Sequence, residues 1–225
     1  MTPDAPASST GTLRSKRAWI VLLAVLLAGL AIDLVSKDLA FAHIADDPVE
    51  VRREMVLALP ASDINSLIPR HDAVTVVPRV LDLTLVLNPG AVFGIGAGKR
   101  WVFVIFTAFA GAFAGWMFAR WTTPRDWLAH ASIGLVLAGG LGNLYDRLVF
   151  ACVRDFLHPL PGVHLPFGIA WPSGDRQVWP WVSNIADALL LVGIAVLLVK
   201  LWRAGDPPKG ASESTGGAGE SSPSR

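Results

Sequence analysis

Four long apolar stretches limit what this chain of 225 residues can fold into. A helix needs about 20 mostly apolar residues to cross roughly 30 Å of hydrocarbon. The stretches run from Ala18 to Val35, from Trp101 to Ala119, from Trp127 to Tyr145 and from about Trp181 to Val199. Only 16% of the residues are charged, whereas soluble domains carry roughly 25%. The sequence therefore predicts an all-α membrane bundle of four transmembrane helices.

The charge of the chain is nearly balanced, with 19 basic and 18 acidic residues. This balance excludes a generally basic nucleic-acid binder, and a single cysteine cannot build a disulfide framework. Basic residues beside short loops set the orientation of a membrane protein. We therefore expect both termini in the cytoplasm, although Lys99 and Arg100 oppose this locally. The residues that favour it are Arg14, Lys16, Arg17, Arg120, Arg125, Lys200 and Arg203.

The two ends of the chain differ in composition from the apolar stretches. Residues 1–13 and 204–225 are rich in Ser, Gly, Pro and Thr, which predicts disordered cytoplasmic tails around a membrane domain at 14–203. A cleaved secretory signal peptide is the alternative for residues 1–35. Three further spans would keep the protein in the membrane in either case. The predicted outer loops cover about residues 40–100 and 146–180.

The first outer loop contains two predicted elements. Asp47, Pro48 and Glu50 are typical of a helix start. The apolar stripe that follows, which includes Val51 and Val56, indicates a helix that either lies on the membrane surface or packs as a short element. Leucine alternates with other residues from Leu81 to Leu87, which predicts a half-buried strand ending in a turn at Asn88-Pro89-Gly90. We expect a small extracytoplasmic β element here.

The polar residues of the spans lie at one predicted depth. Asp33 is expected to end the first span, and Asn143 and Asp146 to end the third. Asn184 and Asp187 are expected near the start of the fourth, with Asp187 about six residues into it. Carboxylates inside spans usually face the bundle interior and mark a functional path. Asp155 follows the third span closely enough to reach the same layer, which the orientation places towards the outer leaflet.

Paired carboxylates at a membrane edge suit one reaction well. Two nearby carboxyls share a proton because both cannot ionise cheaply. The ionised carboxylate can take a proton from water while the protonated one polarises a carbonyl. This chemistry hydrolyses a peptide without a metal, a cofactor or a covalent intermediate.

The residues alone leave other interpretations open. The same aspartates would serve a carboxylate-lined proton or ion carrier, and a non-enzymatic scaffold protein is a third class. Asp146-Arg147 could be a structural ion pair or a helix-end contact, and Asp33 and Lys37, four residues apart, could pair on the surface of the first span. His158 and His164, near Asp155, are a weak signal for a metal site.

Five short motifs in order identify a family resemblance. From about Ile32 to Leu198 the chain resembles the bacterial lipoprotein signal peptidases (signal peptidase II), which are four-helix aspartyl proteases of the inner membrane. The motifs are Asp33-Leu34-Val35-Ser36-Lys37, Asn88-Pro89-Gly90-Ala91-Val92-Phe93, Gly142-Asn143-Leu144-Tyr145-Asp146-Arg147, Val153-Arg154-Asp155-Phe156 and Asn184-Ile185-Ala186-Asp187. The chain departs from the family at Ser183 and Ala151, and both outer loops are longer than usual.

The resemblance implies an activity and a role for each motif residue. Such enzymes remove the signal peptide from prolipoproteins that carry a diacylglyceryl group. The resemblance makes Asp155 and Asp187 the catalytic pair. It makes Asn88, Gly90, Asn143, Arg147 and Asn184 substrate-binding or dyad-supporting residues, and Asp33, Lys37 and Asp146 structural polar residues. It further implies no metal or cofactor, a monomer that contacts membrane lipids and lipid-modified prolipoproteins, and an active site at the outer leaflet of the bacterial inner membrane.

Overall fold

The computed structural model describes residues 10–90 and 100–204, and four helices within these ranges are long and apolar enough to span a membrane. These are α2 (Lys16–His43), α4 (Arg100–Trp121), α5 (Trp127–Val149) and α6 (Ile185–Ala204). Two short helices are α1 (Thr10–Arg14) and α3 (Arg53–Ala58). The four predicted spans are therefore confirmed as helices.

Helix α5 lies at the centre of the bundle and contacts α2, α4 and α6. Its glycines allow this close approach. A methyl group at Gly139 would lie 2.3 Å from the carbonyl oxygen of Ala186 on α6. The same addition at Gly142 would lie 2.3 Å from a carboxylate oxygen of Asp33 on α2. Close packing at these two glycines brings the polar residues of three helices into one layer.

Three strands form a small antiparallel sheet in the order β1-β2-β3. They are β1 (Val74–Val77), β2 (Leu81–Asn88) and β3 (Val153–Pro159). The strand predicted from alternating leucines is confirmed as β2, and Leu85 and Leu87 are its buried residues. They pack with Phe41 from the end of α2 and Ile64 from the first loop. This core fixes the sheet against the end of the bundle.

The first outer loop differs from its predicted helix start. The residues from Asp47 to Glu50 are not helical, because the Val49 N–H donates to the Phe41 carbonyl and ties this segment to α2 at 2.8 Å. The helix α3 begins only at Arg53, without a side-chain cap. Its Val56 is buried in the core beneath the sheet, so α3 packs as a short element. Arg53 also donates to the Leu148 carbonyl at the end of α5.

Two aspartates of the polar layer lie at other positions in their helices than predicted. The first span continues to His43, so Asp33 lies inside α2 and does not end it. The fourth helix begins at Ile185, so Asp187 lies in its first turn and not six residues in. The cause is backbone pairing, because Leu157 and Ser183 exchange N–H···O bonds of 2.8 and 2.7 Å. Residues before Asn184 are therefore extended alongside β3.

The predicted disordered tail at residues 1–13 is wrong for residues 10–13, which belong to α1. The buried Thr12 hydroxyl donates to the Thr122 carbonyl at 2.6 Å, which holds α1 against the end of α4. Residues 1–9 and 205–225 of the predicted tails lie outside the described residues. So do Lys99 and the motif residues Ala91, Val92 and Phe93.

Candidate active site

Two asparagine side chains connect Asp155 on β3 with Asp187 on α6. The Asn184 amide donates to Asp155 Oδ1 at 2.6 Å and to Asn143 Oδ1 at 3.0 Å. The Asn143 amide in turn donates to Asp187 Oδ1 at 2.8 Å. Two carboxylates that are 32 positions apart in the sequence thus belong to one hydrogen-bonded cluster.

The second oxygen of Asp155 is held by Asn88 at the end of β2. Asn88 Nδ2 donates to Asp155 Oδ2 at 3.0 Å. The sheet register explains this contact, since Asp155 lies opposite Val86 and residues two apart on a strand share a face. The Gly90 N–H donates to Asn88 Oδ1 at 3.0 Å, so the turn fixes which end of the amide faces Asp155.

Asp187 is positioned by the start of its own helix. The Asn184 N–H donates to Asp187 Oδ2 at 3.3 Å, and the Asp187 N–H donates to Asn184 Oδ1 at 3.1 Å. This reciprocal pair has the geometry of a capping box, with Asn184 before the helix and Asp187 in its first turn. The positive end of the helix dipole also favours an anionic side chain there.

The electrostatics of the pair favour a bound proton. Asp155 is 1% exposed, and burial together with the nearby charge of Asp187 raises the pKa of Asp155 to about 7. The hydrogen bonds from Asn88 and Asn184 act in the opposite direction because they stabilise the ionised form. One carboxyl group of the cluster can therefore hold a proton near neutral pH.

A fully buried ion cluster lies next to the two aspartates and contacts the residues that hold them. Lys37 Nζ lies 2.8 Å from Asp33, 3.5 Å from Asp146 and 3.3 Å from Asn143 Oδ1. Lys37 thereby helps to fix the orientation of the Asn143 amide. Asp33 Oδ1 accepts the Ala186 N–H at 2.8 Å, which attaches the start of α6 to α2.

Arg147 and Asp146 have different partners although they are adjacent. Asp146 pairs with Arg154, whose Nη2 lies 3.0 Å from Asp146 Oδ1, so Asp146 and Arg147 do not form the ion pair considered from the sequence. Arg147 donates to the carbonyls of Asn143 at 3.1 Å and Gly90 at 2.9 Å. It therefore ties the turn after β2 to the end of α5.

The two histidines that the sequence suggests for a metal site pair with different segments of the chain. His158 is opposite Asp82 in the sheet and His164 is opposite Gln177 in an isolated bridge. Across residues 10–90 and 100–204, no three His, Cys, Asp or Glu side chains are grouped so that they could hold a metal ion.

A sequence profile of the family described as Signal peptidase (SPase) II matches residues 25–203. The chain belongs to the signal peptidase II family. The lipoprotein signal peptidase of Desulfitobacterium hafniense (strain DSM 10664 / DCB-2) is 38% identical over 129 residues, which cover 57% of this chain and 73% of that protein. The lipoprotein signal peptidase of Rhodopirellula baltica is 29% identical over 221 residues, which cover 93% of this chain and 83% of that protein.

Solved structures share the fold of this chain. One described as a bacterial membrane enzyme has a TM-score of 0.57 and covers 86% of this chain and 94% of its own, at 23% identity. A second of the same description has a TM-score of 0.53 and covers 80% and 91%. As a member of the signal peptidase II family, the protein is an aspartic peptidase, and the family resemblance drawn from the five motifs is confirmed.

Several polar residues around the candidate site are not identified by the sequence pattern. Arg154 is buried and bridges Asp146 and Asp38. A buried carboxylate needs a buried cation, so Asp146 itself was a signal that a partner existed. Asn65 and His71 bind the backbone of β2 through their side chains. Such long-range side-chain contacts leave no periodic pattern in the sequence.

Proposed function

We propose that this protein removes the signal peptide from diacylglyceryl-modified prolipoproteins, with Asp155 and Asp187 activating water. The observation that supports this most is the amide chain from Asp155 through Asn184 and Asn143 to Asp187. Family membership supports the reaction, and the hydrogen-bonded pair of the buried Asp155 and the half-buried Asp187 supplies groups able to perform it.

The pair works with one proton between its two carboxyl groups. The ionised carboxylate takes a proton from water as the water oxygen attacks the scissile carbonyl carbon. The protonated carboxyl gives its proton to the carbonyl oxygen, which forms a neutral tetrahedral intermediate. Collapse of the intermediate breaks the C–N bond. The leaving nitrogen takes the proton from one carboxyl group, while a hydroxyl of the intermediate gives its proton to the other carboxylate as the product carboxylic acid forms. Each turnover thus restores the single shared proton.

The asparagines hold the catalytic carboxylates by hydrogen bonds without adding a charge. Asn88 and Asn184 each donate to one oxygen of Asp155, and neither amide titrates in the working pH range. The proton count of the site therefore depends on the two aspartates alone. The low dielectric of the buried site strengthens every interaction with charge that develops in the transition state.

The substrate is a membrane lipid conjugate in this proposal. Asp187 lies in the first turn of α6, so the pair lies at an end of the spans and not at their middle. The basic residues at the opposite ends favour a cytoplasmic position for both termini. The site would then lie at the outer leaflet of the bacterial inner membrane, where the acyl chains remain in lipid while the peptide enters between helices. The protein would act as a monomer without a cofactor.

The test uses the purified protein in phospholipid vesicles with a precursor peptide that carries a diacylglyceryl cysteine. Mass spectrometry should detect cleavage before that cysteine by the parent protein. We expect Asp155→Asn and Asp187→Asn each to lower the rate by about 10³-fold or more, because either change removes a proton acceptor or donor.

The matched control is Asp47→Asn, an exposed carboxylate of the first outer loop, which should retain the parent rate. Parental cleavage by the folded Asp187→Asn protein would refute the assigned pair. A proton carrier would instead show pH-driven flux in sealed vesicles without peptide cleavage.

A further inference from the structure

The edge of β2 is covered by two different parts of the first outer loop. Strand β1 pairs with β2 only from Leu81 to Leu83. Beyond Leu83, the edge of β2 runs on for five residues towards Asn88 without a strand partner on that side. An open edge leaves backbone N–H and C=O groups that need other partners.

Asn65 takes the place of a strand residue opposite Leu87. The Leu87 N–H donates to Asn65 Oδ1 at 2.7 Å, and Asn65 Nδ2 donates to the Leu87 carbonyl at 3.1 Å. The side-chain amide has the same donor and acceptor as a peptide group, so it completes both bonds of a ladder position. Asn65 is held in a 3-10 turn (Ile64–Leu67), in which Ile64 is 1% exposed within the core beneath the sheet.

His71 covers the next open position of the same edge. The Leu85 N–H donates to His71 Nε2 at 3.0 Å, and His71 Nδ1 lies 3.0 Å from the Pro69 carbonyl. A backbone N–H can only donate, so Nε2 accepts and Nδ1 carries the proton. Side chains of the first outer loop thus hydrogen-bond to the β2 backbone beyond the point where its pairing with β1 ends.

The residue after Leu87 is Asn88, whose amide contacts Asp155 Oδ2 at 3.0 Å. We propose that Asn65 is a positioning residue for the reaction: by holding Leu87 on both backbone bonds, it sets the position from which Asn88 binds the catalytic carboxylate. This inference rests on the proposed function of Asp155. None of the five family motifs contains Asn65, which lies in the first outer loop, a segment that is longer than usual for the family.

A positioning role for Asn65 changes the ionisation of Asp155, which a merely structural role would not do. The charged groups that act on Asp155 are Asp187, Lys37 and Arg147, and none of them contacts Asn65 through a hydrogen bond or ion pair among those found in the described residues. The bond from Asn88 favours the ionised form of Asp155. Loss of Asn65 loosens that bond, so the limb of the pH–rate profile that reports Asp155 moves to higher pH, whichever role Asp155 takes in the pair.

The experiment compares Asn65→Ala, Asn88→Ala and the double variant with the parent protein, in vesicles with the lipidated precursor. We expect Asn65→Ala to lower kcat by about tenfold, the scale of one hydrogen bond to a charged group. The double variant should match Asn88→Ala within about twofold, because Asn65 acts through Asn88. Ile133→Val, a buried change in the bundle core on α5, controls for loss of stability and should leave the pH profile in place.

The inference would be overturned if the fold losses in kcat of the two single variants multiply in the double variant. It would also be overturned if the limb of the pH–rate profile stays at the same pH in Asn65→Ala. If Asn65→Ala yields too little folded protein, Asn65→Ser keeps one hydrogen-bonding group and tests the same coupling. The infrared C=O band of the Asp155 carboxyl, assigned by its absence in Asp155→Asn, should titrate at higher pH in Asn65→Ala without any substrate. This measurement separates the two proposals, because a parent protein that cleaves no precursor refutes the function while the band still tests Asn65.

Discussion

Asp155→Asn is expected to abolish activity and to make the protein more stable than its parent above neutral pH. In the folded protein, burial and the Asp187 charge raise the pKa of Asp155 from 3.8 to about 7. Between these two pH values the folded state holds a proton that the unfolded chain has released. The free energy of unfolding of the parent therefore falls as pH rises through this window. The variant has no titrating group at this position and lacks that slope.

The magnitude follows from the width of the window. Each pH unit corresponds to about 1.36 kcal/mol. Because Asp155 is half ionised at pH 7, the parent loses about 2 kcal/mol between pH 5 and pH 7 through this group, and about 3 kcal/mol by pH 8. The variant has a separate cost, because one of the amides of Asn88 and Asn184 then faces an NH₂ group. That cost is about 1–3 kcal/mol and does not depend on pH. The difference in unfolding free energy, variant minus parent, should thus rise by about 3 kcal/mol from pH 5 to pH 8.

Thermal unfolding in detergent micelles at pH 5, 6, 7 and 8 measures this difference. A change of 1 kcal/mol moves Tm by about 2–4 °C in a protein of this size, so the gap between the two Tm curves should change by roughly 6–12 °C. Asp47→Asn, which alters an exposed carboxylate, should run parallel to the parent. Parallel curves for Asp155→Asn and the parent would refute the reasoning, because they would show that Asp155 titrates alike in the folded and unfolded states.

Two further predictions concern the support beneath the site. Asp146→Asn removes the buried partner of Arg154 and Lys37 and should cost about 3–5 kcal/mol of stability, seen as a lower Tm and yield; a stable, inactive product would instead place Asp146 in the reaction. Gly142→Ala brings a methyl group to 2.3 Å from Asp33 Oδ2 and should lower the folded fraction in size-exclusion chromatography, and a variant with parental yield and Tm would contradict the close packing of α2 on α5.

The parts of the fold that were predictable depend on local patterns. Apolar length predicted the spans, and the alternation of leucines predicted β2. The start of α6 was misplaced because Trp181 and Val182 are as apolar as the helix that follows. Only the long-range pairing of Ser183 with Leu157 keeps them extended, and no local pattern reports such a pairing.

The residues of the candidate site were predictable from the sequence, but the contacts between them were not. The spacing of Asp33 and Lys37 suggested an ion pair, which the structure contains at 2.8 Å but fully buried. The catalytic roles of Asp155 and Asp187 stay a prediction, although the structure brings both into one cluster. The family resemblance implies a supporting role for Asn143, but its position between Lys37 and Asp187 depends on the crossing of three helices.

The contact between Asp33 and the Ala186 N–H has a consequence for biosynthesis. The first span of the chain holds the start of the last one, and Asp187 follows one residue later. A nascent chain that has inserted three spans therefore contains Asp155 but no partner for it. With Asp155 and Asp187 as the proposed catalytic pair, proteolytic competence would arise only when the final helix docks, and partly synthesised copies would not cut neighbouring membrane proteins.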